Sequence, residues 1–196
     1  MSLKFEERFA EVIETSSFNF TAQCYQLYET PPLGSVIKAG EPGIFAVIHS
    51  IKNGPVDAGR RVFPRGSNEE NEDDIYRNHP QLKLLLSTQI ESLVIGYYDN
   101  SALRIGLPPS PPHLHAFVSS CNPSEIMDCT RDFSIVRMFL RTPMPAVDEV
   151  IIAFLTLAAG YHNDPKQFLV EAGKSLVAEF SQDMMRLNTL LRRLTA

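Results

Sequence analysis

The apolar residues of this chain change their spacing at Asn122-Pro123, and that change constrains the fold more than any motif in the sequence. Strand side chains alternate between two faces, whereas helical ones return to the same face every three or four residues. Residues 18–27 carry Phe18, Phe20, Ala22 and Cys24 at every second position, which predicts a strand with one buried face. Further β-like runs occur at 11–15, 35–38, 44–51, 91–98 and 113–120. Turn-forming clusters separate them: Pro31-Pro32-Leu33-Gly34, the run 39–43, Asn53-Gly54-Pro55 and Asp99-Asn100. About six short strands with irregular turns imply a small, mostly antiparallel closed β-barrel, because closure removes exposed strand edges. A short helix interrupts the strands. Ser67 and Glu70 match a capping box, so a helix is expected from Ser67 to about Asn78, with a further helical turn at 81–86.

Beyond residue 122 the pattern is helical. Pro123-Ser124-Glu125 opens a helix expected to reach Arg141, with Ile126, Phe133, Val136, Phe139 and Leu140 as its apolar stripe and Pro143 and Pro145 ending it. Residues 146–161 are apolar on most faces, which predicts the buried helix of this half. Asp164 as N-cap and Pro165 at the first helical position start a last helix running to about Thr195. Its stripe is Phe168, Ala172, Leu176, Phe180, Met184, Leu187, Leu191 and Leu194. Packing on the preceding helices is the favoured role for that face. Packing on another subunit is the alternative, and it makes Leu176, Phe180, Met184, Leu187 and Leu191 a candidate interaction surface. The chain thus reads as α+β: a tail at 1–8, a barrel domain at 9–121 and a helical region of about three helices at 122–196.

Composition narrows the function classes. With 44% apolar and 21% charged residues, the 196-residue chain can build an ordinary globular core. A net charge of −5 disfavours nucleic acid as partner, since such binders present a basic face to phosphates. Three cysteines (Cys24, Cys121, Cys129) and an acidic start without a hydrophobic leader point to reduced thiols in the cytoplasm. The longest apolar stretch, 150–159, is about half of the ~20 residues a membrane span needs.

Few motifs carry chemistry. Gly173-Lys174-Ser175 copies the end of a phosphate-binding loop, but Phe168 stands where its first glycine belongs and the segment lies in a helical pattern. His113 and His115 would share one face of the last strand near Cys121 and Cys129, yet the spacing matches no standard zinc site. They are the only metal-ligand candidates, and no cofactor is expected. Five acids between Glu69 and Asp74 lack the glycine and spacing of a calcium loop and read as a solvated helix start. Arg60-Arg61 reads as a solvated loop. No nucleophile elbow occurs, and no Ser/Cys–His–Asp grouping can be argued from spacing. The stiff segment with Pro108, Pro109, Pro111 and Pro112 is either a rigid connector, which is favoured, or a docking strip for an aromatic groove.

The segments FAEVIET (9–15), FTAQC (20–24), PPLGSVIK (31–38), IFAVI (44–48), LVIGY (93–97) and LPPSPPHLH (107–115) resemble a family of small cyanobacterial proteins of unknown function. That family is similar to the HAS-barrel, the barrel shared by HerA-type helicases and rotary ATP synthase subunits. In those ATPases the barrel precedes a motor domain and forms contacts around a ring of subunits. Here the motor is missing, so the resemblance implies a barrel used for assembly and transfers no catalytic residue. The leading expectation is therefore a non-catalytic assembly or adaptor protein that binds a protein partner or itself. One alternative is a barrel that binds single-stranded nucleic acid through Phe18, Phe20, Phe45, Tyr97 and Tyr98. The other is an enzyme with an unrecognised site.

Overall fold

The computed structural model describes residues 8–57, 59–100, 102–131, 133–180 and 183–195. It is α+β. Its strands are β1 (Arg8–Thr15), β2 (Asn19–Cys24), β3 (Val36–Ala39), β4 (Ile44–Pro55), β5 (Leu86–Asp99), β6 (Ala102–Ile105) and β7 (Phe117–Ser120). They form one antiparallel sheet in the order β2-β1-β7-β3-β4-β5-β6. A further β2–β5 pairing, Asn19↔Leu93 to Gln23↔Gln89, closes the first six of these into a ring. β6 hangs outside it on the end of β5.

The period-two pattern explains the ring's interior. Ala10 and Val12, Phe20, Ala22 and Cys24, Ile37 and Ala39, Ala46 and Ile48, Ile90 and Val94, and Val118 form one buried cluster. The alternate residues of β3, β4 and β5 point outward. Val36, Phe45, Val47, Leu93 and Ile95 join a second, larger core with the helices. Only this outer face is apolar, so only it has to be covered.

The cover consists of α3 (Pro123–Cys129), α4 (Ser134–Arg141), α5 (Val147–Ala159), α6 (Pro165–Glu179) and α7 (Met184–Leu194). As expected from its composition, α5 is the central helix, burying Val150, Ile151, Phe154, Leu155, Ala158 and Ala159. Two short helices, α1 (Glu72–Asn78) and α2 (Leu82–Leu85), lie between β4 and β5 and bury no residue.

Several boundaries differ from the sequence reading. β6 was missed; a tight turn at Asn100, with φ of 49°, lets the chain double back after β5. The inserted helix begins at Glu72, not Ser67. Asn71 is its N-cap, accepting from Asp74 N at 3.1 Å, while Gly66–Glu69 forms a separate turn. The helix expected over 123–141 breaks after Cys129, where Thr130 Oγ1 bonds back to Ile126 O at 2.8 Å. The long last helix is two helices, because Asp183 caps a new start by accepting from Arg186 N at 3.1 Å. The expected helical region of about three helices thus holds five among the described residues. The expected tail at 1–8 lies outside the described residues except for Arg8, which already belongs to β1.

Gly34 marks the tightest junction between ring and helices. Its φ is +84°, and a Cβ there would sit 2.5 Å from Phe154 N and 2.6 Å from Ala153 C. Both the conformation and the close approach exclude a side chain. Gly34→Ala should destabilise the fold by about 3 kcal/mol, read as a lower urea midpoint with an unchanged m-value.

Candidate functional site

A cleft of about 800 Å³ lies on the outer surface where β3, β7 and β1 meet. Register sets its floor. Lys38 of β3 and Arg8 of β1 are both direct partners of Ser119 of β7, so a cation, a hydroxyl and a cation stand in one row across three strands. Lys38 points outward because Ile37 and Ala39 point in. Its stem crosses the turn glycine Gly43, where a Cβ would lie 3.1 Å from Lys38 Cδ and where φ is +108°. The ammonium bonds Glu125 Oε1 of α3 at 2.6 Å. Burial opposes the charge on Lys38, but the hydrogen bond and charge of Glu125 outweigh it and raise the pKa above the usual value. Glu125 is itself fixed by the reciprocal capping box with Asn122 at the start of α3. Arg8 sits over the exposed ring of Phe117, with its guanidinium carbon 4.1 Å from the ring centroid.

The proline segment and the two histidines form one wall of this cleft. They do not extend β7. Residues 113–116 make a turn, with Ala116 N bonded to His113 O at 3.1 Å and φ of 66° at His115. His115 N and Ala116 O are in turn bonded to Val12 of β1. The histidines therefore do not share a strand face, as the sequence pattern had implied. His115 Nδ1 instead pairs with Glu11. Pro112 is buried, Pro108 and Pro111 half-buried and Pro109 exposed, so the segment is anchored at its C-terminal end. Cys121 and Cys129 lie in the outer core rather than beside the histidines. No group of three metal-ligating side chains occurs among the described residues.

The other chemically able groups are held in structural roles. Thr130 Oγ1 gives its one proton to Ile126 O, so it accepts from Nε2 of His162 at 2.8 Å. That imidazole stacks on Phe168 with centroids 4.1 Å apart. With its Nε2 already a donor, His162 cannot take a proton from the threonine. Burial pulls the His162 pKa below the usual value against the charge of Glu171, and burial does the same to His49 against Glu91. All three thiols are buried and unpaired, and desolvation raises each above the ordinary cysteine range.

The remaining candidates from the sequence separate clearly. Leu176, Phe180 and Leu187 are buried against α5 and its neighbours, and Leu191 packs over Gly173, where a Cβ would meet Leu191 Cδ2 at 3.1 Å. Most of the stripe therefore packs within the chain; Met184 alone of the five is largely exposed, at 54%. The same packing places Gly173-Lys174-Ser175 in the middle of α6, far from the geometry of a phosphate loop. Of the aromatic side chains, Phe20 fills the ring and Phe45 the outer core, where it meets Tyr98 edge-on at 5.0 Å; Phe18 is 60% exposed.

Sequence reasoning missed two features. One is the Lys38–Ser119–Arg8 row, which depends on pairing between distant strands. The other is a projecting arm. β4 and β5 stay paired out to Pro55↔Leu86, whereas β3 pairs with β4 only over Ile44–Val47 and β2 with β5 only over Gln89–Leu93. Past Ile48 the outer edge of β4 pairs with no described strand. The connection beyond the arm, which also holds α1 and α2, carries Val56, Val62, Phe63 and Leu84, which are 51%, 59%, 67% and 81% exposed. No protein-family model matches the chain and no curated protein matches it either.

Two measurements check these assignments. In a thiol-reagent assay the native chain should show no fast-reacting cysteine, and all three should react in denaturant. In an NMR pH titration, His49 and His162 should titrate below about 6.5. Both folded-state values are depressed, so their contribution to stability is complete above that pH and is lost as the pH falls through the lower folded values.

Proposed function

We propose that this chain is a non-catalytic assembly protein whose closed ring is a HAS-type barrel and whose β4–β5 arm joins it to another copy of itself. The observation that carries the reading is the arm. Four large apolar side chains stand exposed in the connection beyond a strand pair that leaves the ring with a free strand edge. Monomers protect such edges, because an unpaired strand is a template for another chain. Large exposed apolar side chains on one segment are a common mark of a contact site. The segment resemblance to barrels that form rings of subunits favours a second copy of this chain as the occupant. In this proposal the buried thiols remain reduced and the protein works in the cytoplasm.

Light scattering tests the reading on the full chain and on the double variant Phe63→Asp/Leu84→Asp. Both positions are exposed and support no core, so the variant should keep its melting temperature. A defined oligomer that falls to a monomer in the variant is the expected result. A monomer in both, or an oligomer unchanged by the variant, contradicts the arm as the assembly surface.

A further inference from the structure

The cleft has a chemistry that the assembly reading leaves unused. Adjacent strands lie about 4.8 Å apart, so Lys38 and Arg8 start roughly 10 Å from one another on either side of Ser119. Two long cationic side chains at that spacing can close on one group held above the hydroxyl. Lys38 spends one donor on Glu125, at 2.6 Å, and keeps two. Glu125 also orients the ammonium, since the capping box holds the carboxylate in place. Arg8 is exposed and sits over Phe117, and a guanidinium can give two parallel N–H bonds to an oxyanion. Glu41 is the one carboxylate among the lining residues, against Arg8 and Lys38 and the imidazoles of His113 and His115.

The walls are of another kind. Pro42 and Ile44 on one side and Pro111, Pro112 and Leu114 on the other give apolar surface above the charged floor. The volume, about 800 Å³, is within the range of sites that enclose a small organic molecule. A cleft with a polar floor and apolar walls selects a ligand that has both parts.

We propose that this cleft binds a small organic oxyanion, with its carboxylate or phosphate on the Lys38–Ser119–Arg8 row and its apolar or ring portion against Phe117 and the proline wall. The two imidazoles at the rim can meet a second polar group on the same molecule, His115 through Nε2 because its Nδ1 already donates to Glu11. The proline segment then serves as a rigid wall that holds the cleft open.

Phenyl phosphate, benzoate, inorganic phosphate and benzyl alcohol are the probes, titrated into the full chain and followed by amide chemical shifts and calorimetry. Phenyl phosphate or benzoate should bind at millimolar concentration or below and shift the amides of Phe117, Ser119 and Gly40. Which of the two binds more tightly identifies the oxyanion. Arg8→Gln should weaken that binding by about tenfold or more, as loss of a charge-assisted pair does, and added salt should weaken it too. Ser119→Ala should weaken it less. Both substituted residues lie on the surface of the sheet, and melting curves confirm that the variants are folded. Absence of shifts with both aromatic anions overturns the proposal, as does binding that Arg8→Gln leaves unchanged. Inorganic phosphate binding as tightly as phenyl phosphate overturns the role of the apolar wall, and benzyl alcohol binding as tightly overturns that of the cationic row.

Discussion

The contact between the helices and the outer face of β3, β4 and β5, with α5 on β4 and α4 on β5, is the interaction on which the rest of the structure depends. A closed ring of this size buries one side of each strand in its own interior, and that interior is filled by residues such as Ala22, Phe20 and Val94. The opposite side of a strand is normally polar. Here Val36, Phe45, Val47, Leu93 and Ile95 make it apolar over three adjacent strands, and water would face them without the helices. Phe154 and its neighbours on α5 supply the cover, and removing a buried aromatic of this kind costs about 3–5 kcal/mol in a packed core. Gly34 shows how close the approach is: the loop before β3 touches the α5 backbone itself.

The other features follow from that contact. α6 and α7 bury the second side of α5, and α7 is tied back to the start of α5 by two arginines. Arg186 bonds Asp148 and Arg193 bonds Glu149, both in the first turn of α5, where acids are favoured. The Arg186–Asp148 pair is half-buried and the Arg193–Glu149 pair more exposed; such pairs add little free energy but tie α7 to α5. α3 anchors the other flank through Lys38 and Glu125, and the same pair fixes one cation of the cleft floor. The arm is what remains when β4 and β5 continue past the last strands that flank them.

Local chemistry was legible in the sequence wherever the period of the apolar residues was uninterrupted. Phe20, Ala22 and Cys24 face the ring interior as their alternation implied, and α5 is buried as its composition implied. Asp164 caps α6 as expected, accepting from Gln167 N at 3.0 Å. Breaks inside an apolar stripe were not legible. Phe180 and Leu187 keep the helical spacing across the turn at Asp183, because both halves of the folded-back stripe bury onto the same neighbour. Thr130 ends α3 through a bond that a threonine inside a helix can also make. The cleft was hidden for a different reason. Its floor joins β1, β3 and β7, and only tertiary pairing brings Arg8, Lys38 and Ser119 into one row. His115 looked like a strand residue because its positive φ is imposed by bonds between its turn and Val12, which no local pattern announces.

A ring whose outer face needs helices cannot unfold separately from them. Hydrogen exchange of the full chain in increasing, sub-denaturing urea tests this most directly, by following the amides of β4, β5 and α5. One shared opening, with the slow amides of all three elements merging at the same free energy and urea dependence, is the predicted result. Exchange of α5 through a separate, lower-energy opening that leaves the β4 and β5 amides protected would contradict it.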